Sequence, residues 1–241
     1  MMEHLYLVGS GEYGLSHGFD CNVYVIDEGN SLIMVDSGAG LGVEEIVRNL
    51  SRDGLTKPLR WLLLTHGHAD HAGGAHRLRQ RFRCTVIAGK PEAGAISRGD
   101  EEALGLDVAK RSGFYSPDYR FSPCQVDYPV DHGDTLRLGD LSFTVLNIRG
   151  HSPGSVCYLC EIRGKKTLFT GDVVFAKGVI GLLNCEGSSL SEYRRYLPLL
   201  RDLEVDVLLP GHGVFVLAGG QRHIDLACER LERLQIPPNF I

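Results

Sequence analysis

The stretch LTHGHADHAGG, Leu64 to Gly74, sets His66, His68, Asp70 and His71 within six consecutive positions, directly after the apolar run Trp61 to Leu64. An aspartate ahead of AHRLRQRF is a good helix N-cap, but that role accounts for Asp70 alone. Three imidazoles crowded into so short a stretch repel one another whenever they protonate. A cation removes the conflict, because neutral imidazole and carboxylate are good ligands for zinc and similar ions. His66 and His68, two apart in an extended segment, point the same way, whereas Asp70 and His71 sit where the chain turns into a helix. Two pairs of ligands can then face two different metals.

The motif does not stand alone. Apolar runs of four to six residues keep ending in a ligand-type residue flanked by glycine: SLIMVDSG at Asp36, RWLLLTHGH at His66, LSFTVLNIRGHSPG at His151, KTLFTGD at Asp172 and VDVLLPGHG at His212. Continuous apolar runs suggest strands buried on both faces, so these ends should converge on one edge. Between them lie helix candidates: LGVEEIVRNLSRDG with Leu41, Ile46, Val47 and Leu50 on one side, HAGGAHRLRQRF, SSLSEYRRYLPLL with Pro198 shortening it, and GGQRHIDLACERLERLQ with Ile224, Cys228, Leu231 and Leu234. The turns in VIDEGNSLIM, LRLGDLSF and EIRGKKTLF add antiparallel hairpins, which disfavours an all-parallel sheet. Two packed sheets with helices outside fit best.

Two decoys need separate treatment. Gly9, Gly11 and Gly14 match G-x-G-x-x-G, but a dinucleotide fingerprint must open a helix, and here a β-rich hairpin follows. Cys157 and Cys160 match C-x-x-C, yet SVCYLCEI alternates like a strand and sends the two thiols to opposite faces. The 7 cysteines are scattered rather than framed as a disulfide scaffold. The 241 residues, 43% hydrophobic, suffice for one large core. A net charge of −5 with no block of like charge gives no reason to expect a nucleic-acid or membrane partner. The opening MMEHLYLVGSGEYG lacks the basic and apolar regions of an export signal, and a cytoplasmic protein is expected.

The H-x-H-x-D-H run at His66, His68, Asp70 and His71, followed by His151 in GHSPGS, Asp172 in FTGD and His212 in PGHG, resembles the metallo-β-lactamase fold superfamily, in particular its glyoxalase II-like hydrolases. The resemblance runs from about Leu5 to His212 and on into the last helix. It implies an α/β (α+β) fold, a four-layer αββα sandwich, with residues 1–241 as a single domain. It also implies two divalent metal ions, zinc foremost with iron or manganese as alternatives. His66, His68 and His151 would bind one, Asp70, His71 and His212 the other, with Asp172 bridging. The implied activity is hydrolysis of an ester, thioester or lactone bond of a small molecule by water activated between the ions, Asp70 and Asp172 being the catalytic carboxylates. The oligomeric state stays open.

Other expectations are narrower. Asp36 is a candidate to orient a ligating histidine, or a turn residue. Tyr193 and Lys177 are candidates to line the pocket, Tyr193 alternatively being a packed helix aromatic. Residues 92–124, glycine-rich and weakly periodic, read as a lid over the site or as an ordinary excursion. Glyoxalase II enzymes that recognise glutathione carry a helical domain after the final histidine, whereas 29 residues follow His212 here, which argues against glutathione thioesters. An aspartate at the position of Asp172 argues against β-lactams. Two alternatives remain: a mononuclear iron enzyme resembling persulfide dioxygenases, using His66, His151 and Asp172, and a non-catalytic metal-binding module.

Overall fold

In the computed structural model, which describes residues 2–240, eleven strands form two sheets. The first begins with β1 (Leu5–Gly9), β2 (Val23–Asp27) and β3 (Leu32–Val35) as an antiparallel meander. It continues in parallel through β4 (Leu59–Leu64), β5 (Thr85–Gly89) and β6 (Tyr128–Val130). The second contains β7 (Thr135–Leu138), β8 (Leu141–Asn147), β9 (Val156–Ile162), β10 (Lys165–Gly171) and β11 (Val207–Pro210) in the spatial order β11-β10-β9-β8-β7. Only β10 and β11 run parallel there.

The pleat explains why nearly every residue of these strands is apolar. In β2, Val23 and Val25 face an outer core while Tyr24 and Ile26 face the core between the sheets, and β3 repeats the split with Met34 outward and Ile33 and Val35 inward. Helices α1 (Val43–Arg52), α3 (Ala75–Phe82) and α4 (Lys90–Arg98) cover the first sheet, with Ile46, Leu78 and Ile96 packed on it. Helices α6 (Leu190–Tyr196) and α7 (Gln221–Glu232) cover the second, with Tyr193, Ile224 and Cys228 at the contact. The result is the four-layer αββα sandwich. Cys157 lies in the outer core of the second sheet and Cys160 in the core between the sheets, so the C-x-x-C thiols do face apart. No helix among the described residues is long and apolar enough to cross a membrane.

Several boundaries differ from expectation. The candidate HAGGAHRLRQRF is two helices, the short α2 (Ala69–Ala72) and α3, separated at Gly73 and Gly74; position 74 needs glycine, since a Cβ there would stand 2.1 Å from the Ser37 carbonyl oxygen. Leu41 precedes α1 and is 46% exposed, and Leu234 follows α7 at φ 59° and is 76% exposed; neither belongs to a buried face. Within 92–124 the chain forms most of α4 and all of α5 (Leu106–Arg111), and it buries Leu104, Tyr115 and Phe121.

Candidate metal centre

All five strand-end residues named from the sequence lie at one edge of the sandwich. Asp36 follows β3, His66 follows β4, His151 follows β8, Asp172 follows β10 and His212 follows β11. Asp70 sits in the first turn of α2 but makes no capping bond; the helix starts from His68 instead.

His66 Nε2, His68 Nδ1 and His151 Nε2 form a triangle with sides of 3.1, 3.1 and 2.9 Å. The outer nitrogens fix the tautomers of two of these rings. His151 Nδ1–H donates to the Gly181 carbonyl at 2.6 Å, which leaves Nε2 bare. Thr65 Oγ1 gives its single proton to Asp36 at 2.9 Å and so accepts from His66 Nδ1–H at 3.1 Å, leaving His66 Nε2 bare as well. Burial, then the neighbouring His71 and His68, pushes His66 well below its ordinary pKa, and burial together with His151 pushes His68 down to about 3. Lone pairs facing one another at this distance repel unless a cation lies between them. A tetrahedral zinc with bonds of about 2.0–2.1 Å separates its ligand nitrogens by roughly 3.3 Å, close to the triangle found here.

A second group of donors, Asp70, His71, Asp172 and His212, lies beside the first. Asp172 Oδ1 is 3.3 Å from His71 Nε2, and its Oδ2 is 3.6 Å from His212 Nε2 and 3.7 Å from His151 Nε2. Its carboxylate therefore spans both groups. His71 Nε2 and Asp172 Oδ1 are buried without a hydrogen-bond partner among the described residues, an expensive state that a divalent cation relieves. Burial works against the charged forms, but His71 and the hydrogen bond from His212 hold Asp70 down to about 2, while Asp172, Asp70 and Glu12 raise His212 to about 10. This half of the centre selects for positive charge.

The support around the donors is built from both sheets. Asp36, 1% exposed and at φ 62°, accepts from the Thr65 amide at 2.8 Å and from His71 Nδ1–H at 2.9 Å, which turns His71 Nε2 toward Asp172. That selects the orienting role for Asp36. Gly211 is required by space: a Cβ there would stand 2.4 Å from Asp172 Oδ1. Tyr193 is fully buried; its hydroxyl shares its single proton between the carbonyls of Asp172 (3.2 Å) and Gly181 (3.3 Å), and it packs as a helix aromatic rather than lining the pocket. Lys177 is exposed and outside the pocket wall.

Two residues were not visible from the sequence. Glu12, in the loop that imitates a nucleotide fingerprint, places Oε1 3.7 Å from His212 Nδ1 and accepts from the Gly213 amide at 2.9 Å. Phe240 stacks on the His212 ring at 5.4 Å and on Phe175 at 4.8 Å. Its amide donates to Ile180 at 2.9 Å, so the segment that carries it braces the loop whose Gly181 carbonyl holds His151. Both contacts join residues far apart in sequence, and no local pattern announces them. A cavity of about 660 Å³ opens over both donor groups, bounded on one side by residues 104–115.

A family profile described as the metallo-beta-lactamase superfamily matches residues 18–212. The chain belongs to this superfamily. Among curated relatives, the acyl-coenzyme A thioesterase MBLAC2 of Gallus gallus is 30% identical, with 95% of this chain and 86% of that protein aligned. The hydroxyacylglutathione hydrolase GloC of Haemophilus influenzae is 28% identical over 84% of this chain and 89% of its own length. Among solved structures, a metallo-beta-lactamase with a HARLDQ motif from Cronobacter sakazakii superposes with a TM-score of 0.74 at 20% identity, covering 97% of this chain and 95% of that one. BJP-1, a subclass B3 metallo-beta-lactamase of Bradyrhizobium japonicum, gives 0.73 at 22%, covering 97% and 90%. These two likenesses speak to the fold.

Proposed function

We infer that this member of the metallo-beta-lactamase superfamily is a binuclear metal-dependent hydrolase of ester, thioester or lactone bonds in small molecules, residues 1–241 forming one such domain. The observation that carries the reading is the pairing of two incomplete donor groups. Three imidazole nitrogens converge at 2.9–3.1 Å, and beside them stands a group with two orphaned buried atoms, His71 Nε2 and Asp172 Oδ1. His66, His68 and His151 would hold one ion, Asp70, His71 and His212 the other, and Asp172 would contact both. Two divalent ions so held supply a water of near-neutral pKa and polarise the scissile carbonyl.

The chain's own residues do the rest. Asp36 and the Gly181 carbonyl fix the orientation of His71 and His151. Asp70 and Asp172 contribute the negative charge that keeps two cations together. Asp70, held ionised and 3.0 Å from His212 Nε2, keeps the second donor group anionic and ready for a cation. The names of both relatives, a thioesterase and a hydroxyacylglutathione hydrolase, favour cleavage next to an acyl carbon. A mononuclear site of His66, His151 and Asp172 would leave His68 at 2.9 Å from His151 without a task, and a purely structural module would have no use for an open cavity over the donors.

The test is elemental analysis of the purified protein beside assays on thioesters, aryl esters and lactones. About two zinc-like ions per chain, with hydrolysis abolished by chelation and restored by the metal, is expected. One iron per chain with no hydrolysis overturns it.

A further inference from the structure

The cavity over the donor groups has a one-sided chemistry. Its floor is the polar cluster, but the wall that leads away from it is apolar: Leu104, Leu106, Val108 and Ala109 from α5 and its approach, faced by Phe19 and Leu183. Phe19 stands 5.5 Å from Phe114 and 5.0 Å from Tyr115, and Tyr115 stands 4.7 Å from Tyr119, so this wall is backed by four linked aromatic rings. Phe114, 58% exposed, marks the rim. No lysine or arginine lines the cavity, while Glu12, Asp20, Asp70 and Asp172 do. Away from the donor groups, a carboxylate or phosphate in this arm would find no lysine or arginine to pair with. Tyr115 is 4% exposed and its hydroxyl is buried, so its ring backs the wall while the hydroxyl stays out of reach of the cavity.

We propose that this arm holds the acyl side of the scissile bond and that the acyl group is an uncharged hydrocarbon chain of medium length. The proposal rests on the hydrolase reading and names the substrate class of that site. A cavity of about 660 Å³ accommodates far more than an acetyl or lactoyl group and lies in the usual range for drug-sized ligands. The charged part of the leaving group then lies outside the arm, toward solvent.

The experiment is a series of acyl thioesters of N-acetylcysteamine, from acetyl to decanoyl, with the metal-loaded enzyme. The rate constant kcat/KM should rise by roughly two- to fourfold for each added methylene until the arm is full. Ala109→Trp, which fills the arm, should lower the ratio of octanoyl to acetyl kcat/KM by at least about tenfold, and Val108→Asp, on a partly exposed position, should lower it in the same direction. Binding supplies a readout independent of turnover: calorimetric titration of the metal-free protein with 1-octanol should show association with a negative heat-capacity change, lost in Ala109→Trp. Metal-dependent hydrolysis with a flat chain-length profile and no octanol binding overturns the acyl arm and leaves the hydrolase reading standing. Octanol binding that Ala109→Trp removes, in a protein that hydrolyses no member of the series, keeps an apolar arm but sinks the hydrolase reading and the acyl assignment with it.

Discussion

Asp172 is the residue on which the two donor groups depend jointly. Its two oxygens face different histidines, Oδ1 toward His71 and Oδ2 toward His151 and His212, so one carboxylate answers charge on both sides. Asp172→Asn keeps the size and removes the charge. The His66, His68 and His151 triangle remains intact, and three neutral ligands suffice for one catalytic zinc. The variant should therefore retain about one ion instead of two, and kcat/KM should fall by roughly a hundredfold or more. The activity left should climb toward alkaline pH, because water beside a single ion is less acidified than water shared by two. Two tightly held ions and an unshifted profile would reduce Asp172 to a turn residue at the end of β10. At this scale the clustering of the candidate donors was legible: His66, His151, Asp172 and His212 each close an apolar run, and His68, Asp70 and His71 share the motif that starts at His66. The partners of those donors were legible only where they also end a strand, as Asp36 does. Glu12 and Phe240 reach His212 from about 200 and 28 positions away, and only the folded chain brings them there.

One scale up, the elements that hold the centre are themselves braced. The loop after β10 runs through Gly181, whose carbonyl fixes His151, and that loop is gripped by Tyr193 of α6 on one side and by Phe240 on the other. Tyr193→Phe removes one hydroxyl that bonds two main-chain carbonyls and leaves the ring's packing alone. A loss of about 1 kcal/mol in unfolding free energy is expected from the missing hydrogen bond, with kcat within about twofold of the parent, because the hydroxyl does not reach the cavity. Denaturant unfolding and steady-state kinetics on the same preparation separate the two effects; a tenfold drop in kcat at unchanged stability would return Tyr193 to the chemistry. Elements with strong periodicity, such as α1 and α7, could be read from the sequence, although Leu41 and Leu234 were assigned to faces that end before them. The segment 92–124 could not. Its α5 is six residues long and starts from Gly105 at φ 69°, too short to show a period, and its apolar side chains serve the cavity wall and the core together.

For the whole molecule, the centre acts as a clasp between layers. Its donors follow β4 of one sheet and β8, β10 and β11 of the other, so ions bound there tie both sheets to one point. Without them the fold must hold bare imidazole nitrogens 2.9–3.1 Å apart and a buried carboxylate oxygen that has no hydrogen-bond partner among the described residues. An ion present at a thousand times its Kd adds about 4 kcal/mol, which for a chain of this size corresponds to a rise in Tm of roughly 8–16 °C. The pH dependence has a definite sign. His212, raised to about 10 by its carboxylate neighbours against the pull of burial, stabilises the metal-free fold below its unfolded value near 6.5, and this contribution is lost as pH rises through about 10. Protons on the same nitrogens compete with the metal, so the ion-bound form strengthens over that window. The difference in Tm between metal-loaded and chelator-treated protein should therefore widen from pH 6.5 to pH 9, as scanning calorimetry at matched ionic strength would record. Equal midpoints at pH 9 with and without zinc would mean that the converged histidines and carboxylates are not a metal centre, and that their repulsion is relieved in some other way.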